Sequence, residues 1–228
     1  MIIITALSPI IYNGHPDFDL RFSQKKIRKK KMQREIEPTL QQIMKALNLK
    51  SSTEENNEKM FEAKRLNLSF MGLTKLNHLS LLNRLRELRL EHNALRCVPE
   101  SVSILNELEI LNVSHNKIVD GFEHLPKGLK CLDLSFNRIK RVPDVLPSSV
   151  VWLDLSSNPV FKFTSSTVLR PKIIQTLPVL KWLNGDVVMP GERAGLCTSA
   201  SPKNSSKIAK EYGTSKKQVE MVRLLSSL

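Results

Sequence analysis

The stretch GLKCLDLSFNRIKRVPDVLPSSVVWLDLSSNP, residues 128–159, holds the tetrapeptide LDLS twice, at 132–135 and 153–156. Each copy is followed, after one residue, by an asparagine, Asn137 and Asn158. The chain therefore repeats itself after 21 residues. Within each copy the apolar residues alternate, as Leu132 and Leu134 do, which is the pattern of a short strand with those side chains turned to one side.

The pattern extends in both directions as LxxLxLxxNxL. Copies start at Leu85 (LRELRLEHNAL), Leu108 (LEILNVSHNKI), Leu129 (LKCLDLSFNRI) and Val150 (VVWLDLSSNPV). A degenerate copy starts at Ala63 (AKRLNLSFMGL), with Met71 in place of the asparagine. The spacings of 22, 23, 21 and 21 residues predict strands near 65–69, 87–91, 110–114, 131–135 and 152–156. No unit buries its apolar edge alone; stacked neighbours do it for one another. The asparagine side chain is suited to bond the turning backbone inside such a stack, where a bare peptide group is costly. The returns between strands, VDGFEHLPKG and KRVPDVLPSS, each carry proline, which disfavours a regular helix. They predict extended or 3₁₀ segments.

These units resemble leucine-rich repeats, over residues 63–193. Residues 170–193, RPKIIQTLPVLKWLNGDVVMPGER, resemble the C-terminal cap of intracellular proteins of this kind, a group that includes the phosphatase-regulatory subunit, the dynein light chain and the spliceosomal partner-binding subunit. Ile173, Ile174 and Leu177 form the cap's apolar helical stripe, LPVLKWLNG its last partial strand, and Glu192–Arg193 its terminal pair; Asn184 stands where the usual pattern has aspartate. The resemblance implies an α/β fold, a right-handed leucine-rich-repeat solenoid with a parallel concave sheet. Upstream, PTLQQIMKALNL has Leu40, Ile43, Met44 and Leu47 at helical spacing, and Thr53 is placed to cap TEENNEKMFEA. Residues 34–62 are thus expected to form a helical N-terminal cap, between an arm at 1–33 and a basic tail at 194–228. Residues 1–33 and 194–206 are expected to lack fixed structure, leaving a core near 36–193.

Composition narrows the function classes. The 228 residues are 41% apolar and 5% aromatic, so the core is aliphatic. The net charge of +13 is spread as +3 over 1–62, +6 over 63–193 and +4 over 194–228. Cys97, Cys131 and Cys197 show no paired or metal-binding spacing, which fits a reducing compartment and no metal or other cofactor. The start, MIIITALSPIIYNG, lacks a basic leader region, and no run of about 18 apolar residues predicts a membrane span.

Candidate site residues follow from the register. The third position of the units reads Arg65, Glu87, Ile110, Cys131 and Trp152, with Trp182 in the cap. The fifth reads Asn67, Arg89, Asn112, Asp133, Asp154 and Asn184. The third-position row turns from charged to apolar, and both tryptophans are expected to face outward as anchors for a protein partner. Arg89, Asp133 and Asp154 border that row. Asp133 and Asp154 would stand on adjacent strands about 4.8 Å apart. They lack an accompanying nucleophile and base, so catalysis is not expected. His92 and His115 share the position before the asparagine, where a polar edge residue is the expectation and a metal pair the alternative.

Arg96, Lys117, Arg138, Lys140, Arg141 and Lys162 fall just after the asparagines and form a basic edge, with no aromatic stacking set evident beside it. QKKIRKKKMQR (24–34) reads as an import or nucleic-acid patch. KIAKEYGTSKKQVEMVRLL has Ala209, Gly213 and Val219 at helix-turn-helix spacing but lacks room for a third helix, so a short docking helix is expected. The functional expectation is a monomeric, non-catalytic scaffold in the cytoplasm or nucleus that binds a protein on the concave face. The alternatives are a nuclear nucleic-acid-associated protein using the basic edge and tails, or a regulatory subunit of an enzyme such as a phosphatase.

Overall fold

The leucines that recur in each unit settle the architecture, because one row of them must leave water together. In a computed structural model, which describes residues 35–49 and 54–195, five three-residue strands carry that row. They are β1 (Arg65–Asn67), β2 (Glu87–Arg89), β3 (Ile110–Asn112), β4 (Cys131–Asp133) and β5 (Trp152–Asp154). Consecutive strands pair in parallel, aligning Leu66, Leu88, Leu111, Leu132 and Leu153. All five are buried, and they join Leu68, Leu90, Val113, Leu134 and Leu155 in one core. The strands are shorter than the five residues expected, because in four of the units the fifth-position side chain, that of Asn67, Asn112, Asp133 or Asp154, accepts from the amide two residues on.

The asparagines supply what the turning backbone lacks. Asn137 accepts from the Ile118 amide at 2.9 Å and donates to the carbonyls of Val113 and Leu134 at 2.9 and 3.0 Å. Asn93, Asn116 and Asn158 repeat the pattern in their own units. The four are buried, yet their polar groups are paired. The returns are not α-helical: Glu100–Ile104 and Phe122–His124 are 3₁₀ turns, and residues 140–149 contain no helix. Gly121, at φ +86°, permits a close approach; a Cβ there would lie 2.8 Å from both the amide nitrogen and the carbonyl oxygen of Val98.

Two helices, α1 (Leu40–Ala46) and α2 (Glu54–Phe61), precede β1 and send Ile43, Met44 and Met60 into the same core. Thr39 caps α1 by accepting from the Gln42 amide. At the other end, α3 (Val160–Phe163) and α4 (Ser166–Thr176) bury Val160, Leu169, Ile173 and Ile174. A last parallel strand, β6 (Trp182–Leu183), pairs with β5 and then with the antiparallel β7 (Asp186–Val187). The Glu192–Arg193 pair, on α5 (Pro190–Arg193), ties this end together. Arg170 donates to Glu192 at 2.6 and 3.1 Å, and Arg193 donates to the carbonyls of Leu177 and Leu180. Asn184 accepts from the Leu155 amide at 2.8 Å, so its side chain takes the place of the fifth-position carbonyl that receives the equivalent amide in the earlier units.

The arm at 1–33, the patch at 24–34, the Thr53 cap, Cys197 and the spacing at 209–219 lie outside the described residues. Among the described residues no helix is long and apolar enough to cross a membrane.

Candidate functional site

The third-position row divides the outer face of the sheet into two chemically distinct halves. The register aligns Arg65, Glu87, Ile110, Cys131, Trp152 and Trp182 across six strands, as the repeat spacing predicts. In the first half Glu87 is buried and lies within 3.3 Å of Arg65 and 2.6 Å of Arg89. Two guanidiniums thus compensate one carboxylate that would be costly to bury alone. Arg89 enters the site through this network.

In the second half Ile110, Cys131 and Trp152 pack into a cluster of their own, separate from the leucine core, with Trp182 against it. The expectation that the two tryptophans stand exposed is corrected here. Trp152 lies outside the leucine core but is only 6% exposed, and Trp182 is half-buried. The reason is the register: Cys131 and Trp182 hold the paired positions on the strands either side of Trp152, and the three pack in one cluster. Burial pushes the Cys131 thiol up to about 12, so it behaves as a small apolar residue and not as a nucleophile.

The fifth-position carboxylates have a local structural task. Asp133 accepts from the amide and hydroxyl of Ser135 at 3.0 and 2.6 Å, and Asp154 accepts from the Ser156 amide at 2.8 Å. Asn67 and Asn112 do the same for Ser69 and Ser114. Toward that serine aspartate and asparagine serve alike, because the contact uses only an acceptor. Asp133 and Asp154 sit in register at the ends of adjacent strands, each bonded to the serine two residues on.

Along the edge, Arg96, Arg138, Lys140, Arg141 and Lys162 are exposed and Lys117 is half-buried. The expectation that no aromatic set accompanies this edge is also corrected. Phe70, His92, His115 and Phe136 stack ring upon ring, with centroids 4.3, 4.1 and 4.1 Å apart and ring planes within 13° of parallel. These four residues hold the position just before the asparagine, or before Met71 in the first unit. That position reads F, H, H, F, S through the units, which is the sequence signal for the stack. Parallel stacking of His92 on His115 does not converge their ring nitrogens on one ion. Among the described residues no group of three or more histidine, cysteine or acidic side chains is placed to hold a metal.

Neither a protein-family model nor a curated protein matches the sequence. Solved structures do match the fold. A chain of the SNF/U2A′ complex of Drosophila melanogaster superposes with a TM-score of 0.54 at 19% identity, covering 78% of this chain and 99% of that one. A leucine-rich-repeat protein of Leptospira interrogans gives 0.45 at 22% identity, covering 65% of this chain and 40% of that one. With five repeats in register on one leucine row, an asparagine ladder closing their turns, and a solved neighbour that superposes over most of the chain, the chain has the leucine-rich-repeat fold.

Proposed function

We propose that the chain is a non-catalytic interaction scaffold of the cytoplasm or nucleus, which takes a protein segment on the concave face over Ile110, Cys131, Trp152 and Trp182. The observation that carries this reading is the second apolar cluster. This row packs apart from the leucine core, so its apolar character is not dictated by the packing of the repeats on one another. An apolar row beside the ion-paired Arg65–Glu87–Arg89 half offers a partner an anchor and a charged rim, the usual anatomy of a binding surface. The neighbour from a complex of two proteins is of the same fold, which supports partner binding in general and names no partner for this chain. The free thiols of Cys97 and Cys131 suit a reducing compartment.

Trp182 is the better handle for a test, because it is half-buried while Trp152 is closed in. Affinity purification of the intact chain, side by side with Trp182→Ala and a surface control such as Lys127→Ala, should yield a protein that Trp182→Ala alone loses. Recovery of the same proteins by all three would remove this face as the site.

A further inference from the structure

The ring stack ends at the fourth of the five repeats, and what lies beyond its end is chemically specific. Phe70, His92, His115, Phe136 and Ser157 occupy equivalent positions in five successive units, all with φ between 53° and 61°. Four of them supply a ring and the fifth does not. Inside the stack each ring face is covered by the next ring. The face of Phe136 turned away from His115 meets no ring or guanidinium among the described residues, and Phe136 is 49% exposed. The rung that would cover it belongs to Ser157, whose side chain is too small. A planar group from outside can complete the stack there.

The surroundings say which planar group. Arg138 follows Phe136 across the buried Asn137, and Lys140, Arg141 and Lys162 continue the same edge. All four are exposed, and none belongs to an ion pair among the described residues. In the first unit, which carries Phe70, Lys75 pairs with Glu35 at 2.8 Å and Arg65 with Glu87 at 3.3 Å. A free aromatic face together with uncommitted cations therefore occurs at the Phe136 end. Phosphate-linked planar bases match that combination, because each base offers a π-face and each linkage a negative charge. Asp120, Glu123 and Asp144 line the shallow groove next to Arg138, Lys140 and Arg141, which limits the attraction to a few phosphates.

We propose that the Phe136 end of the stack is a platform for single-stranded nucleic acid, with one base taking the rung above Ser157 and its flanking phosphates meeting the basic edge. The interior bases of a duplex do not fit, since both of their faces are already stacked, and the control duplex is closed by a hairpin loop at each end.

The test uses the intact chain and end-labelled single strands of roughly 12 nucleotides, oligouridine and oligothymidine, with a duplex of equal length as control, read by fluorescence anisotropy. Phe136→Ser should weaken single-strand binding about tenfold. Ser157→Phe should weaken it comparably by filling the rung with the chain's own ring, while leaving the melting temperature equal or higher. Both variants should leave duplex binding unchanged. Replacing Arg138, Lys140 and Arg141 with serine should reduce the slope of log affinity against log salt by about 2. Every variant carries the same basic tails, so binding through them is common to all. A folded Ser157→Phe protein that binds single strands as tightly as the parent would overturn the proposal. So would equal losses for single strand and duplex.

Discussion

The carboxamide of Asn137 works in both directions at once, accepting from one amide and donating to two buried carbonyls. Aspartate has nearly the same shape but donates nothing when ionised, and it would face the Val113 and Leu134 carbonyls with a charge. Asn137→Asp should therefore cost about 3 kcal/mol, read as a lower urea midpoint. An unchanged midpoint would mean the asparagine ladder is not what satisfies the turns. The opposite substitution at the strand ends, Asp133→Asn, should be nearly neutral there, because only an acceptor is used toward Ser135. Gly121 is the other residue with no substitute. Its left-handed φ and the 2.8 Å contacts a Cβ would make to Val98 backbone predict a cost of about 2 kcal/mol for Gly121→Ala in the same assay.

At the scale of the element, each strand presents an inner leucine and an outer residue that serve different clusters. Leu132→Ala opens a cavity between stacked repeats and should cost about 2–5 kcal/mol. Trp152→Ala should cost about 3–5 kcal/mol, although its ring lies outside the leucine core, because Ile110, Cys131 and Trp182 close around it. Calorimetric melting of the two variants checks both. If Trp152→Ala melts with the parent, the outer cluster contributes no stability and exists for binding alone.

For the whole molecule, two groups tie stability to pH, one in the third repeat and one in the C-terminal segment. His115 has its pKa lowered from 6.5, first by burial and then by neighbouring His92. As pH falls below 6.5 the unfolded chain takes up this proton before the folded one, so this contribution to stability declines with falling pH. Glu192 has its pKa lowered from 4.5, chiefly by the Arg170 hydrogen bond. Its contribution is present above 4.5 and is lost as pH falls through the folded-state value. Melting temperature should thus fall in two stages on acidification, the first below 6.5 and the second below 4.5. His115→Phe should flatten the first stage while preserving the ring stack. Retention of both stages in that variant would show that another group titrates there.

The repeat of 21 to 23 residues was enough to place five strands, their leucine row and the third-position register, because period and burial are both written along the chain. The 3₁₀ and extended returns were legible from their prolines, and the cap from its helical stripe and final Glu192–Arg193 pair. Exposure was not legible. Trp152 reads as an outward residue on its own strand, and only the neighbouring strands, whose separation is a property of the sheet, enclose it. The ring stack escaped for the same reason: Phe70, His92, His115 and Phe136 lie 21 to 23 residues apart, and no local pattern joins them. Their contact exists because parallel pairing in register brings equivalent positions of successive units into line, which the solenoid decides and a single repeat does not.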